Sequence, residues 1–386
     1  MFKRQIPLAW LQLSRVPSRL LVAVAGIAFA DFLMFMQLGF QAALYESNTL
    51  LHNSLKADLI LMSPQAQNIS SMGSFPRRRL TQAMNFLKEI ESTEALYVGR
   101  ANLKNPDNQR ETEVLFFAFN PSRSMLKLPG VSEQLQTLKL TDTLLFDRNS
   151  DGEYAKMIPT LERGESLKSE VQNRQITIEG LFTLGASFAG DSNAIVSDLT
   201  FLNLFPDRSL AEVNVGLIRV KQGVDPQVMA NVLQASLPED VKVLTLEQFI
   251  DFEKDYWARS TPIGFIFTLG IVIGFLVGLV IVYQILYADI SDHLPEYATL
   301  KAMGFTDNYF LGVVLQESLI LALLGFIPGV VISLGVYSLA QGATMLPIVM
   351  TVQRAITVLI LTITMCTLSG AIAIRKLRAA DPAEIF

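Results

Sequence analysis

Four apolar stretches and one long mixed interval organise this chain. The apolar stretches run from Leu20 to Leu44, over 261–287, over 310–340 and over 355–374. Each is long enough for a helix to cross a bilayer, which takes about 20 residues. The second and fourth carry no charged residue, the third holds Glu317 near its start and Pro328 in its middle, and the first contains Asp31 and Gln37. The interval 45–260 alternates between the two periods that mark strands and helices. Ala57 to Met62, Glu113 to Phe119, Gln175 to Phe182 and Val213 to Val220 predict strands. Arg79 to Glu91 predicts an amphipathic helix with Leu80, Ala83, Met84, Leu87 and Ile90 on one face. Asp225 as N-cap and Pro226 as first residue open a helix to about Leu237. Thr245 with Gln248 has the spacing of a capping box, for a helix that runs on into the second span. Segments 64–76 and 103–110, rich in Ser, Pro, Asn and Asp, predict loops. The expected fold class is a membrane protein, with four transmembrane α-helices plus a large α+β extracytoplasmic (periplasmic) domain inserted between helices 1 and 2.

Cations beside the spans set the expected orientation. Lys3, Arg4, Arg15 and Arg19 precede the first span, and Arg375, Lys376 and Arg378 follow the fourth. Cytoplasmic flanks carry the excess of Lys and Arg. Residues 1–19 are therefore expected as a cytoplasmic or interfacial helix and 375–386 as a cytoplasmic tail, in the inner (plasma) membrane. The connection 288–309 lies on the same side, while 45–260 and the short loop 341–354 lie outside. The first stretch is too long for the apolar region of a signal peptide and no clear small-x-small cleavage site follows it, so it reads as an uncleaved helix.

Composition agrees and narrows the chemistry. The 386 residues are 51% hydrophobic and only 17% charged, with a mean hydropathy of +0.37; soluble chains carry about a quarter charged residues. A net charge of −5 gives no reason to expect nucleic acid. The single cysteine, Cys366, forms no internal disulfide, and His52 and His293 have no metal-ligand spacing. No GxSxG, no Ser/His/Asp set and no Walker A sequence is present. The chain thus reads as non-enzymatic and without a cofactor, and any ATP it depends on is bound by a separate ATPase subunit. The run Arg77-Arg78-Arg79 reads either as a contact for an anionic partner or lipid headgroup or, the favoured reading, as a solvated helix start.

Four groups of residues stand out. Asp31, costly at mid-membrane, is either a buried coupling or substrate-contact group or one end of a structural hydrogen bond; Gln37 carries the same two readings. Gly270, Gly274 and Gly278 form a double GxxxG, a groove for close helix packing within the subunit or across a dimer axis. Gly325 and Gly329 flank Pro328, which is expected to kink or break the third span. In the connection, Pro295 to Met303 predicts a short amphipathic helix ended by Gly304. Such a helix either docks in a groove of a soluble partner or lies at the interface.

Glu296-Tyr-Ala-Thr-Leu-Lys-Ala-Met-Gly-Phe305 and Lys376-Leu-Arg-Ala-Ala-Asp-Pro-Ala-Glu-Ile385 resemble the cytoplasmic stretch and the ending of the MacB/FtsX/LolCE group of ABC transporter permeases. The order of one span, a large outer domain and three spans resembles that group too. Pro7 to Leu13, Gly26 to Asp31, Phe35 to Phe40 and Leu55 to Leu61 resemble the DevC family, permeases of a heterocyst-type glycolipid exporter. His293-Leu-Pro295 departs from the group, which has a charged, proline-free approach to the Glu. The resemblance implies a homodimeric permease driven by a DevA-type ATPase, with a DevB-type periplasmic adaptor and a TolC-like channel. It implies that ATPase motion is transmitted to the outer domain to export an amphiphile, by family default a glycolipid. It places ATPase contact at Glu296, Leu300, Met303 and Gly304, with Leu300 and Met303 as apolar anchors and Glu296 as a rim charge. An FtsX-like, non-transporting regulator of a periplasmic partner is the alternative.

Overall fold

The computed structural model describes residues 8–150, 154, 156–185, 187, 190, 192–344 and 346–379. The basic pair Lys3 and Arg4 and the Asp381-Pro382-Ala383-Glu384 ending lie outside the described residues. The chain divides into two compact units, one built around the apolar stretches (1–43, 262–344 and 348–386) and one made of 44–261 with 345–347.

The chain enters through a short helix, α1 (Leu8–Arg15), and a long one, α2 (Pro17–Ser54). Pro17 suits the first helical position, where a missing N–H costs nothing. The second unit then lays down β1 (Leu59–Met62), β2 (Phe75–Pro76), α3 (Arg78–Phe86), β3 (Ile90–Lys104), β4 (Glu111–Phe119), β5 (Thr143–Asp147), α4 (Met157–Glu162), β6 (Leu167–Val171), β7 (Arg174–Phe182), β8 (Asn193–Ser197) and α5 (Asp198–Leu204). It continues with β9 (Glu212–Val213), β10 (Val215–Val220), α6 (Pro226–Ser236), β11 (Lys242–Thr245) and α7 (Leu246–Asp255).

Nine strands form one sheet in the order β11-β1-β10-β3-β4-β8-β5-β7-β6, and β6 pairs back to β3. The long β3 therefore serves two structures. Ile90 to Leu96 pairs with β10 in an open sheet, whereas Tyr97 to Lys104 pairs with β4 and, at Leu103 and Lys104, with β6 to close a six-stranded ring. Val114 to Phe119 of β4 is buried at every position, as a strand covered on both faces must be. The β6–β7 hairpin turns at Gln172 and Asn173, both at positive φ (47° and 63°), which a two-residue type I′ turn requires. Phe116, Phe146, Ile176, Ile178, Leu59 and Phe75 sit in one apolar core.

One buried carboxylate ties the ring together. Asp147 accepts hydrogen bonds from the backbone N–H of Asn149 (3.1 Å), Leu184 (2.9 Å) and Gly185 (2.8 Å) and from Asn193 Nδ2 (2.9 Å), and is fully buried.

Several expectations change in this unit. The helix predicted to reach Glu91 stops at Phe86, because Ile90 onward is claimed by pairing with β10. Met84 accordingly faces solvent and Ile90 lies in a strand. Arg79 is not solvated: it is buried and makes a bidentate pair with Asp240 (Nε–Oδ1 2.9 Å, Nη2–Oδ2 2.7 Å). The strand predicted over 213–220 breaks at Asn214, whose side chain accepts from Val98 N–H (3.0 Å) and donates to Gly73 O (2.6 Å). The Thr245–Gln248 capping box is present, but its helix does not enter the second span. It ends at Asp255 and is followed by a π-helical turn, Tyr256–Ser260. Thr261 is then extended (φ −116°, ψ 151°), because the ring of Pro262 disfavours helical backbone at the residue before it.

The first unit holds α2 up to Ala43 with α8 (Pro262–Asp292), α9 (Leu294–Ala302), α10 (Asp307–Thr344) and α11 (Val352–Ala379). Four of the described helices are long and apolar enough to cross a membrane: α2, α8, α10 and α11. Of the expected kink or break at Pro328, the break does not occur: α10 stays helical through it. One lost backbone bond is tolerated where neighbouring helices enclose the segment.

Removing the Asp147 carboxylate leaves three backbone donors and one amide without an acceptor. Asp147→Ala is expected to destabilise the sheet unit by roughly 3–5 kcal/mol, at about 1–3 kcal/mol per buried group left unpaired with partial relief by relaxation. Asp147→Asn, which keeps one acceptor oxygen, should cost less. Urea midpoints followed by limited proteolysis of the full chain check the order.

Candidate functional site

The first unit is organised around α2. Moving along α2 from Gly26 to Gln37, its partners on α8 move backwards from Ile281 to Gly270, so the two helices are antiparallel neighbours. Gly26 meets the Ile281 side chain. A Cβ on Gly278 would lie 2.8 Å from Ala30 Cβ and against Met365 Sδ of α11. One on Gly274 would lie 3.2 Å from Met34 Cγ, and one on Gly270 would lie 2.6 Å from Gln37 Nε2. The double GxxxG thus makes its contacts inside this chain, and the Gln37 side chain fills the groove at Gly270. The outer side of α8, with Phe265, Ile266, Leu269, Val272, Ile273 and Leu276, is exposed.

The other side of α2 meets α10 in the same manner. Gly325 lies against Ile27 and Gly39 against Tyr337, whose hydroxyl donates to Phe35 O. A Cβ on Gly329 would lie 2.8 Å from Asp31 Cβ. Asp31 is fully buried, and Thr362 Oγ1 of α11 donates to its Oδ1 at 2.6 Å. Asp31 Oδ2 has no hydrogen-bond partner among the described residues. Asp31 thus makes one hydrogen bond to a neighbouring helix. Glu317 is fully buried on α10, and neither of its oxygens has a protein partner among the described residues. Ser369 Oγ of α11 donates to Leu279 O of α8 (2.7 Å), closing the ring of four helices.

The connection between α8 and α10 carries the second candidate group. Pro295 stands in the first turn of α9, where its ring is allowed. The helix ends in a Schellman arrangement: Gly304 N–H bonds Lys301 O (3.0 Å), Phe305 N–H bonds Leu300 O (3.2 Å), and Gly304 takes φ +95°. Tyr297 and Ala298 are the buried face. Tyr297 donates to Gln12 Oε1 of α1 (3.2 Å) and packs edge-on to Phe310 (5.4 Å). Burial pushes its hydroxyl above the usual tyrosine range. Arg15 pairs with Glu296 (3.0 Å), and Arg19 pairs with Asp292. Leu300 is half-buried, whereas Met303 is 69% exposed. Phe305 and Tyr309 are exposed beside it, with ring centroids 4.8 Å apart.

The structure therefore gathers Glu296, Leu300, Met303 and Gly304 on one short helix and its cap, and it gathers Asp31, Gln37, Gly270, Gly274 and Gly278 around α2. Glu317 belongs to neither hydrogen-bonded set. Glu296, read as a rim charge for a partner, is engaged by Arg15 of the same chain. Sequence reasoning missed Gln12, Tyr297, Tyr337 and Thr362. Gln12 and Tyr297 lie 285 residues apart, beyond the reach of any local pattern. Gly26 and Gly39 were visible as small residues in the first span, and that was a usable signal.

Close approach of α2 and α10 predicts an order of sensitivities. Gly329→Leu forces a side chain into the space of Asp31, and overpacking of this kind costs about 1–3 kcal/mol or more. Thr362→Val removes one intramembrane hydrogen bond, worth about 0.6–2 kcal/mol. Unfolding of the chain in mixed micelles should rank Gly329→Leu below Thr362→Val and both below the parent.

Residues 265–382 match the family model described as FtsX-like permease C-terminal, a match that runs from α8 through α11. No curated protein matches the chain. Among solved structures, the periplasmic region of MacB from Actinobacillus actinomycetemcomitans is similar at 9% identity and a TM-score of 0.35, over 51% of this chain and 92% of that one. The extracellular domain of the ABC-type transporter YknZ from Gram-positive bacteria is similar at 11% identity and a TM-score of 0.32, over 49% of this chain and 98% of that one. The chain is a membrane protein of four spanning helices with a large α+β domain between the first and second, and its last three spans lie in a stretch that matches the FtsX-like permease family.

Proposed function

We propose that this chain is the permease subunit of an ATP-driven exporter. A separate ABC ATPase of the DevA type does work on it from the cytoplasm. The 44–261 domain, on the far side of the inner membrane, engages a DevB-type adaptor that leads to a TolC-like channel. The permease acts as a homodimer, has no catalysis of its own and moves an amphiphile, with a glycolipid as the family default.

The observation that supports this reading is the surface at α9. Met303, Phe305 and Tyr309 are exposed apolar side chains beside a helix that Tyr297, Gln12 and Arg15 hold in place. The surface lies within the residues matched to the FtsX-like permease family. Exposed apolar groups on a rigid, capped helix suit docking in a partner's groove, and the sequence has no Walker motif with which to bind ATP itself. Leu300 extends the surface, and Gly304 lets the chain turn sharply enough to leave Met303 at its tip.

Met303→Asp puts a charge where a dry apolar contact is proposed. Capture of the ATPase should weaken by about tenfold to a hundredfold, a loss of about 1.4–2.8 kcal/mol. Membrane insertion should be unchanged, because position 303 lies outside the spans. Capture and export at parental levels would remove α9 as the coupling element.

A further inference from the structure

The run Arg77-Arg78-Arg79 has one member left over. Arg79 is buried against Asp240 (2.7 Å) and donates from Nη1 to Gln82 Oε1 (2.7 Å). Arg77 donates to the Tyr97 hydroxyl (3.4 Å). Arg78 is exposed and makes no ion pair and no side-chain hydrogen bond among the described residues.

Arg78 stands at a cleft. α3 and α6 pack into one core through Leu80, Ala83, Met229, Ala230 and Leu233, and between α3 and the end of α6 they leave a groove of about 530 Å³. Among the described residues that line it, Arg78 alone is charged. Arg78, Gln82 and Phe86 follow one another at helical i, i+4 spacing, so they form one ridge of α3. Phe86, the last residue of α3, is 58% exposed, and Leu237 and Pro238 add apolar lining from the end of α6. The Gln82 oxygen is held by Arg79, which leaves its Nε2–H groups to donate. The lining therefore runs from a guanidinium through an amide to a phenyl ring over about 12 Å of helical rise.

The volume suits a small ligand, for which clefts run to about 300–1,000 Å³, and the polarity gradient selects its class. An uncharged polar ligand leaves Arg78 unused. A small anion leaves Phe86, Leu237 and Pro238 against water. An alkyl chain that ends in a carboxylate or phosphate meets both ends of the gradient. The guanidinium takes the oxyanion by paired hydrogen bonds, Gln82 adds a donor, and the chain covers the phenyl end. We infer that the groove between α3 and α6 is a binding site for one molecule of an amphiphile with an anionic headgroup. That this amphiphile is exported cargo rests on the permease reading; that the groove binds it does not.

The test uses the full-length chain in nanodiscs and two photoreactive probes of one chain length, dodecyl phosphate and dodecanol, each with a diazirine near the far end of the chain. Adducts are located by peptide mass spectrometry and counted relative to those in the spans, which corrects for partition into the bilayer. The phosphate should label 78–86 and 236–238, and the alcohol roughly tenfold less there. Arg78→Gln should cut labelling by the phosphate roughly tenfold, the effect of losing one hydrogen bond to a charged group. Arg78→Lys, which keeps the charge, should fall between Arg78→Gln and the parent, and Phe86→Gln should also lose labelling. Arg78 and Phe86 are exposed, so these substitutions leave the core intact. Equal labelling by the two probes, parental labelling of Arg78→Gln, or adducts confined to the spans would overturn the site. So would a groove left unlabelled together with loss of adaptor capture in Arg78→Gln, which assigns it to a protein partner. The labelling needs neither ATPase nor adaptor, so it can fail while the exporter reading stands, and the Met303→Asp capture test can fail while the labelling stands.

Discussion

In an apolar surround, helices gain little from hiding apolar area, so they associate by fitting closely. That constraint shapes the membrane unit of this chain. Gly270, Gly274 and Gly278 of α8 and Gly325 and Gly329 of α10 bring both helices against α2, where any Cβ would meet Gln37, Met34, Ala30, Ile27 or Asp31. α11 completes the set through Met365 against Gly278 and Ser369 to Leu279 O. Asp31 is admitted beside a donor, the Thr362 hydroxyl of α11. Asp31 Oδ2 and both Glu317 oxygens are buried with no partner among the described residues.

The same economy of contact appears outside the spans. α9 is held by a few residues, Tyr297 on Gln12 and Phe310 and the pair Arg15–Glu296, and its cap at Gly304 turns the chain so that Met303 stands clear. α9 is thus fixed on one face and bare on the other. The 44–261 unit relies instead on buried polar junctions within a closed sheet. Asp147 collects four donors and Glu253 collects two, and each ties segments that no single strand or helix could join.

Much of this was legible in the sequence because its cause is local. Span length, the capping box at Thr245 and Gln248, the N-cap at Asp225 and the end of α9 at Gly304 depend on neighbours in the chain. What was not legible depends on distant partners. Arg79 looked like one of three solvated cations until Asp240, 161 residues away, came beside it. The helix expected to run through Leu87 and Ile90 ends at Phe86, Leu87 is extended, and Ile90 pairs with Val220 of β10, 130 residues later. The break at Thr261 is local too, since Pro262 disfavours helical backbone at the residue before it. For the candidate site, the glycine groove was visible but its occupant was not, since two partners satisfy a GxxxG equally well on paper.

The proposed function requires that Met303 and its neighbours meet an ATPase on the cytoplasmic side. The most direct measurement places a photo-crosslinking amino acid at position 303 and, separately, at Gly223, an open turn in the 44–261 unit. Irradiation of cells that hold the whole complex should yield an adduct with the ATPase from position 303, changing with nucleotide state, and none from position 223. An ATPase adduct from position 223, or from neither position while the complex remains assembled, would contradict the account.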